Sequence, residues 1–152
     1  MKQYNIAVLG ATGAVGREML KVLEEYKIPV GTLRPLASAR SAGSTVPFCG
    51  KEVVVEEARE DSFDGMDFVL GAVSSGMSRK FRPAIEKSGA VYIDNSSAFR
   101  LEDGIPLVVP EINGADALQN HGIVANPNCS TIITLMAVAA LNQLSPIESM
   151  VA

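Results

Sequence analysis

The chain has 152 residues, of which 47% are apolar and 20% are charged, and its formal net charge is −4. This length suits one domain with a real core, and apolar segments that recur throughout exclude a low-complexity chain. An acidic balance without Trp argues against a nucleic-acid partner, which normally meets a basic face. Because no apolar run reaches the roughly 20 residues of a membrane helix and no basic leader opens the chain, we expect a soluble cytoplasmic protein with no membrane partner.

Apolar periodicity predicts strands and helices in alternation. The run from Tyr4 to Leu9 has the pattern of a buried strand, and apolar residues at helical spacing from Val15 to Leu23 follow a glycine turn. The further predicted elements are a strand at 32–37, a hairpin with strands at 45–48 and 53–55, a strand at 67–73, a helix at 77–87, strands at 90–93 and 107–109, a helical turn at 115–118, a strand at 123–125 and a helix at 130–144. Such alternation predicts the α/β class, a doubly wound, Rossmann-like, mostly parallel sheet with helices on both faces.

The segment from Gly10 to Gly16 has three glycines at G-x-x-G-x-x-G spacing between the first strand and the first helix. Glycine lets backbone amides approach a pyrophosphate closely, and the positive end of the helix favours its charge. Thr12 adds a hydroxyl and an amide. The pattern predicts dinucleotide binding, and a plain tight turn is the alternative.

The loop after the second strand favours NADP over NAD. An acidic side chain there would hold the ribose 2′-hydroxyl of NAD, yet no Asp or Glu occurs from Tyr26 through Lys51. Ser38, Arg40 and Ser41 instead offer hydroxyls and a guanidinium suited to a 2′-phosphate. A solvated loop that happens to be basic is the alternative.

Few residues are available for nucleophilic or acid–base chemistry. Cys49 and Cys129 are too few for a disulfide framework and wrongly spaced for a metal site, so we expect two reduced thiols and no metal. Cys49 falls in the predicted hairpin turn and is interpreted as structural. The single histidine, His121, lies in a Gln-Asn-His-Gly segment typical of a turn, which leaves no evident imidazole base.

Cys129 stands at the predicted start of the last helix, after Asn126, Pro127 and Asn128. The positive end of a helix favours the thiolate, which is the nucleophilic form, and nearby amides with Asn128 could donate to an oxyanion. A lone cysteine at such a place is more often a small buried residue or a cap. A nicotinamide site in the same domain favours a catalytic thiol that adds to an aldehyde. The thiohemiacetal then gives up a hydride, and phosphate or water takes the acyl group of the resulting thioester and releases the thiol.

Arg100 follows the predicted strand at 90–93, with hydroxyls and an amide nearby. Its guanidinium could clamp an anionic group, and a surface arginine is the alternative.

Five motifs together resemble one family. They are Val8 to Gly16 (VLGATGAVG), Leu36 to Gly43 (LASARSAG), Asp94 to Arg100 (DNSSAFR), Val108 to Asn113 (VVPEIN) and Asn126 to Thr131 (NPNCST). In this order they resemble the aspartate-semialdehyde dehydrogenase family. The resemblance implies an NADP-dependent, reversible, phosphorylating oxidation of L-aspartate 4-semialdehyde to L-4-aspartyl phosphate, a step that leads to lysine, threonine, methionine and isoleucine.

The resemblance also implies roles for individual residues. Cys129 would be the acyl-thioester nucleophile, with Arg100 and Asn128 around the phosphate. The residues it implies for the cofactor are Gly10, Thr12, Gly13, Ala14 and Val15 at the pyrophosphate and Ser38, Arg40 and Ser41 at the 2′-phosphate. Two departures are Ile133, where many relatives carry Gln, and the loop with Ser74 and Ser75, whose cofactor contact stays open.

The family's substrate glutamine, substrate arginine and base histidine have no counterpart in these 152 residues, and the end of the chain resembles the start of a strand. We therefore expect residues 1–128 to form an NADP-binding domain and residues 129–152 to carry the nucleophile helix and the start of a truncated catalytic or dimerisation domain. The chain alone should show little activity, and the resemblance implies a homodimer for the full-length enzyme.

Two alternatives stay open. N-acetyl-γ-glutamyl-phosphate reductase shares the cofactor fold and the cysteine chemistry, although Asn128 and Ser130 differ from its usual Asn-Pro-Gly-Cys-Tyr motif. A non-catalytic NADP-binding or dimerisation module is the second alternative, and the complete motif around Cys129 argues against it.

Overall fold

A computed structural model describes residues 2–151 of the chain. The strands are β1 (Tyr4–Leu9), β2 (Val30–Ala37), β3 (Thr45–Phe48), β4 (Lys51–Val54), β5 (Glu56–Glu57), β6 (Phe68–Gly71), β7 (Val91–Asp94) and β8 (Ile123–Ala125). The α-helices are α1 (Ala14–Glu25), α2 (Ser75–Ser88), α3 (Pro110–Asn113) and α4 (Cys129–Leu144), and two 3-10 helices span Glu60–Phe63 and Gly114–Gln119.

Six of the strands form one sheet in the order β5-β2-β1-β6-β7-β8, and every neighbouring pair is parallel. The remaining two, β3 and β4, form an antiparallel hairpin. The strand after β1 in this sheet, β2, lies on one side of β1, and the later strand β6 lies on the other side. The strand order therefore reverses at β1. Parallel α/β sheets bind ligands at such a switch point, next to the carboxyl ends of β1, β2 and β6.

Alternate residues of β1 are buried on opposite faces of the sheet. Ile6 and Val8 pack in a cluster with Leu20 and Leu23 of α1. Ala7 and Leu9 belong to the cluster on the other face, which contains Phe81 and Ile85 of α2 together with Phe63, Tyr92 and Phe99. Helices therefore cover both faces, and the predicted doubly wound α/β fold is confirmed.

One predicted strand is wrong. Residues 107–109 contain only an isolated bridge between Leu107 and Ala125, with a 3.0 Å bond from Val108 N to Ala125 O. Pro106 and Pro110 flank this segment. Pro106 O accepts a hydrogen bond of 2.9 Å from Ala125 N, but neither proline has an amide hydrogen to donate to a longer ladder. The strand predicted at 67–73 is shorter than expected and ends at Gly71.

The last helix, α4, differs from α1 and α2. Its residues are mostly apolar, yet none of those described is buried, and Ile133 and Leu144 are 73% and 86% exposed. No helix within residues 2–151 is long and apolar enough to span a membrane.

Candidate active site

A cavity of about 480 Å³ opens at the carboxyl ends of the central strands. Its lining residues are Leu9, Gly10, Thr12, Gly13, Ala37, Ser38, Ala39, Glu57, Ala58, Ala72, Val73, Met77, Lys80 and Phe81. Its size lies within the range of small-molecule and cofactor sites, and it lies at the switch point of the sheet.

The glycines of the first turn divide into two kinds. A Cβ on Gly10, whose φ is +90°, would lie 2.4 Å from Ala72 O, and a Cβ on Gly16 would lie 2.2 Å from Gly10 O. Gly10 and Gly16 therefore allow strand, turn and helix to pack closely. Gly13 is exposed at the start of α1, and its own Cβ would come no closer than 3.4 Å to Gly10 O.

The start of α1 fits an anionic ligand. Gly13 is the N-cap, and no side-chain hydrogen bond caps the helix. Ala14 and Val15 occupy the exposed first turn, where backbone amides have no partner within the helix and the dipole favours negative charge. Among the sequence-predicted residues, Gly10, Thr12 and Gly13 line the cavity directly. The turn thus presents uncapped backbone amides at the positive end of α1, beside the cavity.

The loop after β2 continues the cavity wall. Ser38 lines the cavity, and its carbonyl oxygen accepts hydrogen bonds from Ser41 N at 2.9 Å and Ala42 N at 3.1 Å. Arg40 is exposed within this turn and, like Ser41, lies outside the lining residues. Of the three residues predicted for a 2′-phosphate, the structure thus places one in the wall and two on the adjoining loop.

Two charged residues of the cavity, Glu57 and Lys80, are not among those predicted from the sequence. Glu57 ends β5, whose partner is the carboxyl end of β2, with Ala37 opposite Glu57. It therefore lies beside the second strand in space, although it comes 20 positions after Ala37 in the chain. Two glutamates have no strand pattern of their own, so no signal in the sequence indicates that they pair with β2.

Cys129 is the first residue of α4, as predicted, and is an exposed free thiol. Asn128 is the N-cap, and its Oδ1 accepts a hydrogen bond of 2.9 Å from Ser130 N. The same oxygen lies 3.9 Å from Cys129 Sγ. The thiol therefore stands at the positive end of a 16-residue helix, with the Asn128 side chain next to it.

Arg100 and the segment before Cys129 are joined by hydrogen bonds. Arg100 Nε donates to Asn126 O at 2.9 Å, and Nη2 donates to Asn95 O at 3.1 Å. These bonds bring the predicted anion-binding arginine next to the segment that carries the predicted nucleophile.

A buried carboxylate supports the segment that leads to Arg100. Asp94, at the end of β7, is 0% exposed and accepts hydrogen bonds from Ser78 Oγ at 2.7 Å and Ser96 Oγ at 2.6 Å. Tyr92 Oη donates to Ser78 Oγ at 3.0 Å. Burial is the main cause that raises the pKa of Tyr92 above its ordinary value. Because each of these polar groups has a partner, the network fixes the backbone at the end of β7.

The glycine turn, the Ser38 loop, Arg100 and Cys129 each follow the carboxyl end of a strand. Because the strands are parallel, these groups lie at the same end of the sheet. Ser74 is the N-cap of α2, and Ser75 Oγ lies 2.9 Å from Ser97 Oγ, which links the loop after β6 to the one after β7. His121 precedes β8 and so lies at the opposite edge from Cys129. In residues 2–151, no group of three or more His, Cys, Asp or Glu side chains is placed to hold a metal ion.

A family model described as "Semialdehyde dehydrogenase, NAD binding domain" matches residues 5–121, which is more than half of the chain. The chain belongs to this family. The family identity agrees with the resemblance found in the sequence motifs and with a nucleotide-binding role for the cavity.

The chain is also similar to named aspartate-semialdehyde dehydrogenases. The chain is 49% identical over 140 residues to aspartate-semialdehyde dehydrogenase of Bacillus subtilis and 48% identical over 147 residues to that of Synechocystis, covering 92% and 96% of this chain. The crystal structure of aspartate semialdehyde dehydrogenase II from Vibrio cholerae, complexed with ASA, superposes with a TM-score of 0.92 at 44% identity and covers 97% of this chain. This semialdehyde dehydrogenase domain spans 40% and 43% of the two relatives and 49% of the Vibrio chain.

Proposed function

We propose that this chain is the nucleotide-binding and nucleophile-bearing part of an aspartate-semialdehyde dehydrogenase. The reaction is the NADP-dependent, reversible, phosphorylating oxidation of L-aspartate 4-semialdehyde to L-4-aspartyl phosphate. The observation that carries the proposal is the position of Cys129, which begins α4 at the sheet edge that also holds the glycine turn.

Cys129 performs the covalent chemistry in this proposal. Its thiolate sulfur forms a bond to the aldehyde carbon, the carbonyl electron pair moves to the oxygen, and a proton completes a thiohemiacetal. Loss of a hydride and of that proton leaves a thioester on Sγ. An oxygen of inorganic phosphate then attacks the thioester carbon, the carbon–sulfur bond breaks, and the acyl phosphate leaves while the thiolate is restored.

The neighbouring residues bind and orient. Amides of the first turn of α4 other than Ser130 N, which donates to Asn128 Oδ1, stabilise the oxyanion, and the Asn128 side chain lies beside the reacting sulfur. Arg100 holds the phosphate, and its bond to Asn126 O keeps it against the nucleophile segment. NADP, when bound, supplies the hydride acceptor.

The cofactor-binding residues are Gly10, Thr12, Gly13, Ala14 and Val15 at the pyrophosphate and Ser38, Arg40 and Ser41 at the 2′-phosphate. Support for NADP comes from Ser38 in the cavity wall and from the exposed guanidinium of Arg40 on the same turn. Replacing Arg40 with Ala should weaken NADP binding about tenfold and leave NAD binding nearly unchanged. Equal losses for both dinucleotides, measured by titration calorimetry, would contradict the 2′-phosphate role.

The remaining features of the whole enzyme belong to the same proposal. They are a domain boundary after residue 128, a homodimer, a cytoplasmic location, and a base and substrate-binding groups supplied by a part of the protein outside these 152 residues. The match to 40% and 43% of two relatives' length supports the last of these, a part of the protein outside this chain.

The decisive experiment is acylation of Cys129. Incubation with L-4-aspartyl phosphate, in full-length protein containing this chain, should add one aspartyl group to the tryptic peptide that contains Cys129. A Cys49→Ser variant should be labelled equally, and a Cys129→Ser variant should not be labelled. An unlabelled Cys129 would refute the proposed mechanism.

A further inference from the structure

Glu57 is part of the cavity wall next to the predicted 2′-phosphate loop. Glu57 pairs with Ala37 in a parallel ladder, and Ala58 N continues that ladder with a 2.8 Å bond to Ala37 O. Neighbouring strands of a sheet are about 4.8 Å apart, so the end of β5 stands directly beside the start of the Ser38 loop. Among the described lining residues, Glu57 is the single carboxylate and Lys80 the single cation.

Arg59 binds this carboxylate from the side. Its Nη2 donates to Glu57 Oε2 at 2.7 Å and its Nε donates to the same oxygen at 3.0 Å. The Arg59 side chain is 70% exposed and that of Glu57 is 37% exposed. Arg59 itself lies outside the cavity lining, in a neighbouring pocket whose wall Glu57 shares. The guanidinium therefore balances the carboxylate from the side away from the cavity, and Oε1 takes no part in either bond.

The Glu57 carboxylate favours NAD, and its neutralisation by Arg59 favours NADP. A free carboxylate at the end of the second strand accepts a hydrogen bond from the ribose 2′-hydroxyl of NAD, and it repels the charge of a 2′-phosphate. A carboxylate bound by arginine does neither to the same extent. We infer that the Glu57–Arg59 pair sets the preference between NADP and NAD, with Arg59 acting as a positioning and neutralising residue for Glu57. This inference rests on the dinucleotide site proposed above.

The test is a set of dissociation constants for NADP and NAD at low ionic strength, measured by calorimetry for wild type, Arg59→Gln, Glu57→Gln and the double variant. Arg59→Gln should move the ratio of the two constants about fivefold towards NAD, since exposed charge pairs contribute up to about 1 kcal/mol. Glu57→Gln should move the ratio towards NADP. Lys21→Gln removes one cation from an exposed ion pair on α1 outside the cavity lining, and it should leave the ratio unchanged.

The double variant separates action through Glu57 from a direct phosphate contact. If Arg59 acts through Glu57, Arg59→Gln has no further effect on the ratio in the Glu57→Gln background. An equal Arg59→Gln effect in both backgrounds, or an unchanged ratio in the single variants, overturns the inference. A wild-type protein that binds neither dinucleotide overturns the proposed function and this inference with it, whereas a wild-type preference for NAD contradicts only the NADP assignment.

Discussion

Asn126 Nδ2 donates a hydrogen bond of 2.6 Å to Asn95 Oδ1. The bond joins two sheet-edge segments that are 31 positions apart in sequence, one leading to Arg100 and the other to Cys129. With the two bonds from the Arg100 guanidinium, it makes the predicted anion site and the predicted nucleophile parts of one hydrogen-bonded unit.

Replacing Asn95 with Ala should lower the free energy of unfolding by about 1–2 kcal/mol, because it leaves the partly buried Asn126 amide without an acceptor. Urea denaturation measures the loss. Asn5→Ala is a matched control, because the Asn5 side chain bonds Gly65 O at an exposed position and should cost less. Equal losses in both variants would show that the Asn95–Asn126 bond contributes no more to the free energy of unfolding than the exposed bond of Asn5.

Two glycines of the turn from Gly10 to Gly16 should differ in what they affect, Gly16 the stability of the fold and Gly13 the binding of dinucleotide. Gly16→Ala should destabilise the fold by about 2 kcal/mol or more, because the new methyl group would overlap the Gly10 carbonyl oxygen. Gly13→Ala should unfold at nearly the same urea concentration as wild type, since Gly13 has φ −74° and the new Cβ would come no closer than 3.4 Å to Gly10 O. It should nevertheless bind dinucleotide about tenfold more weakly, because the methyl group occupies the approach to the helix amides. Full binding by Gly13→Ala would place the pyrophosphate elsewhere.

Burial of Tyr92 should make the free energy of unfolding decrease at alkaline pH. Its pKa in the folded protein is raised by burial above the ordinary value of 10.0, so its contribution to stability is complete below pH 10 and falls as pH rises above that value. The free energy of unfolding of Tyr92→Phe should therefore decline less between pH 9 and pH 11 than that of wild type, apart from a constant loss of the bond to Ser78. Tyr26→Phe is the control, because Tyr26 is 75% exposed. Identical pH profiles for Tyr92→Phe and wild type would contradict the burial effect.

The β3–β4 hairpin holds a non-glycine residue in the left-handed region. Cys49 has φ +49° and Gly50 has φ +72°, the two positive values that a type I′ turn requires. Cys49→Asn should stabilise the protein by about 0.5–1 kcal/mol, because Asn tolerates this conformation better. Cys49→Val should destabilise it, because a β-branched side chain is strained there. Thermal unfolding of both variants is the measurement, and equal melting temperatures would refute a strained Cys49.

Local patterns predicted the elements that depend on neighbouring residues. Alternating burial along Tyr4–Leu9, the glycine turn and the helical spacing after it are encoded within about 25 residues, so β1 and α1 follow from the sequence. The same holds for Cys129 at the start of α4, because Asn128 is a residue type that commonly caps helices.

Features that depend on strand order escaped prediction. Glu57 reaches the cavity only because β5 pairs with β2, and periodicity in a single sequence does not specify that pairing. The Asn95–Asn126 bond likewise depends on β7 lying beside β8. The apolar residues at 107–109 predict a strand, but the segment forms one isolated bridge, and the flanking prolines have no amide hydrogens with which to lengthen it.

The two outermost strands of the sheet are also its shortest. β5 has two residues, both glutamates, and β8 has three and is followed by Asn126 and Pro127. A long apolar edge is a template on which another chain can add a strand, whereas short, charged or proline-terminated edges offer few free amides and carbonyls for such pairing. The sheet is therefore protected against growth by strand addition at both ends, which lowers its tendency to form β-aggregates.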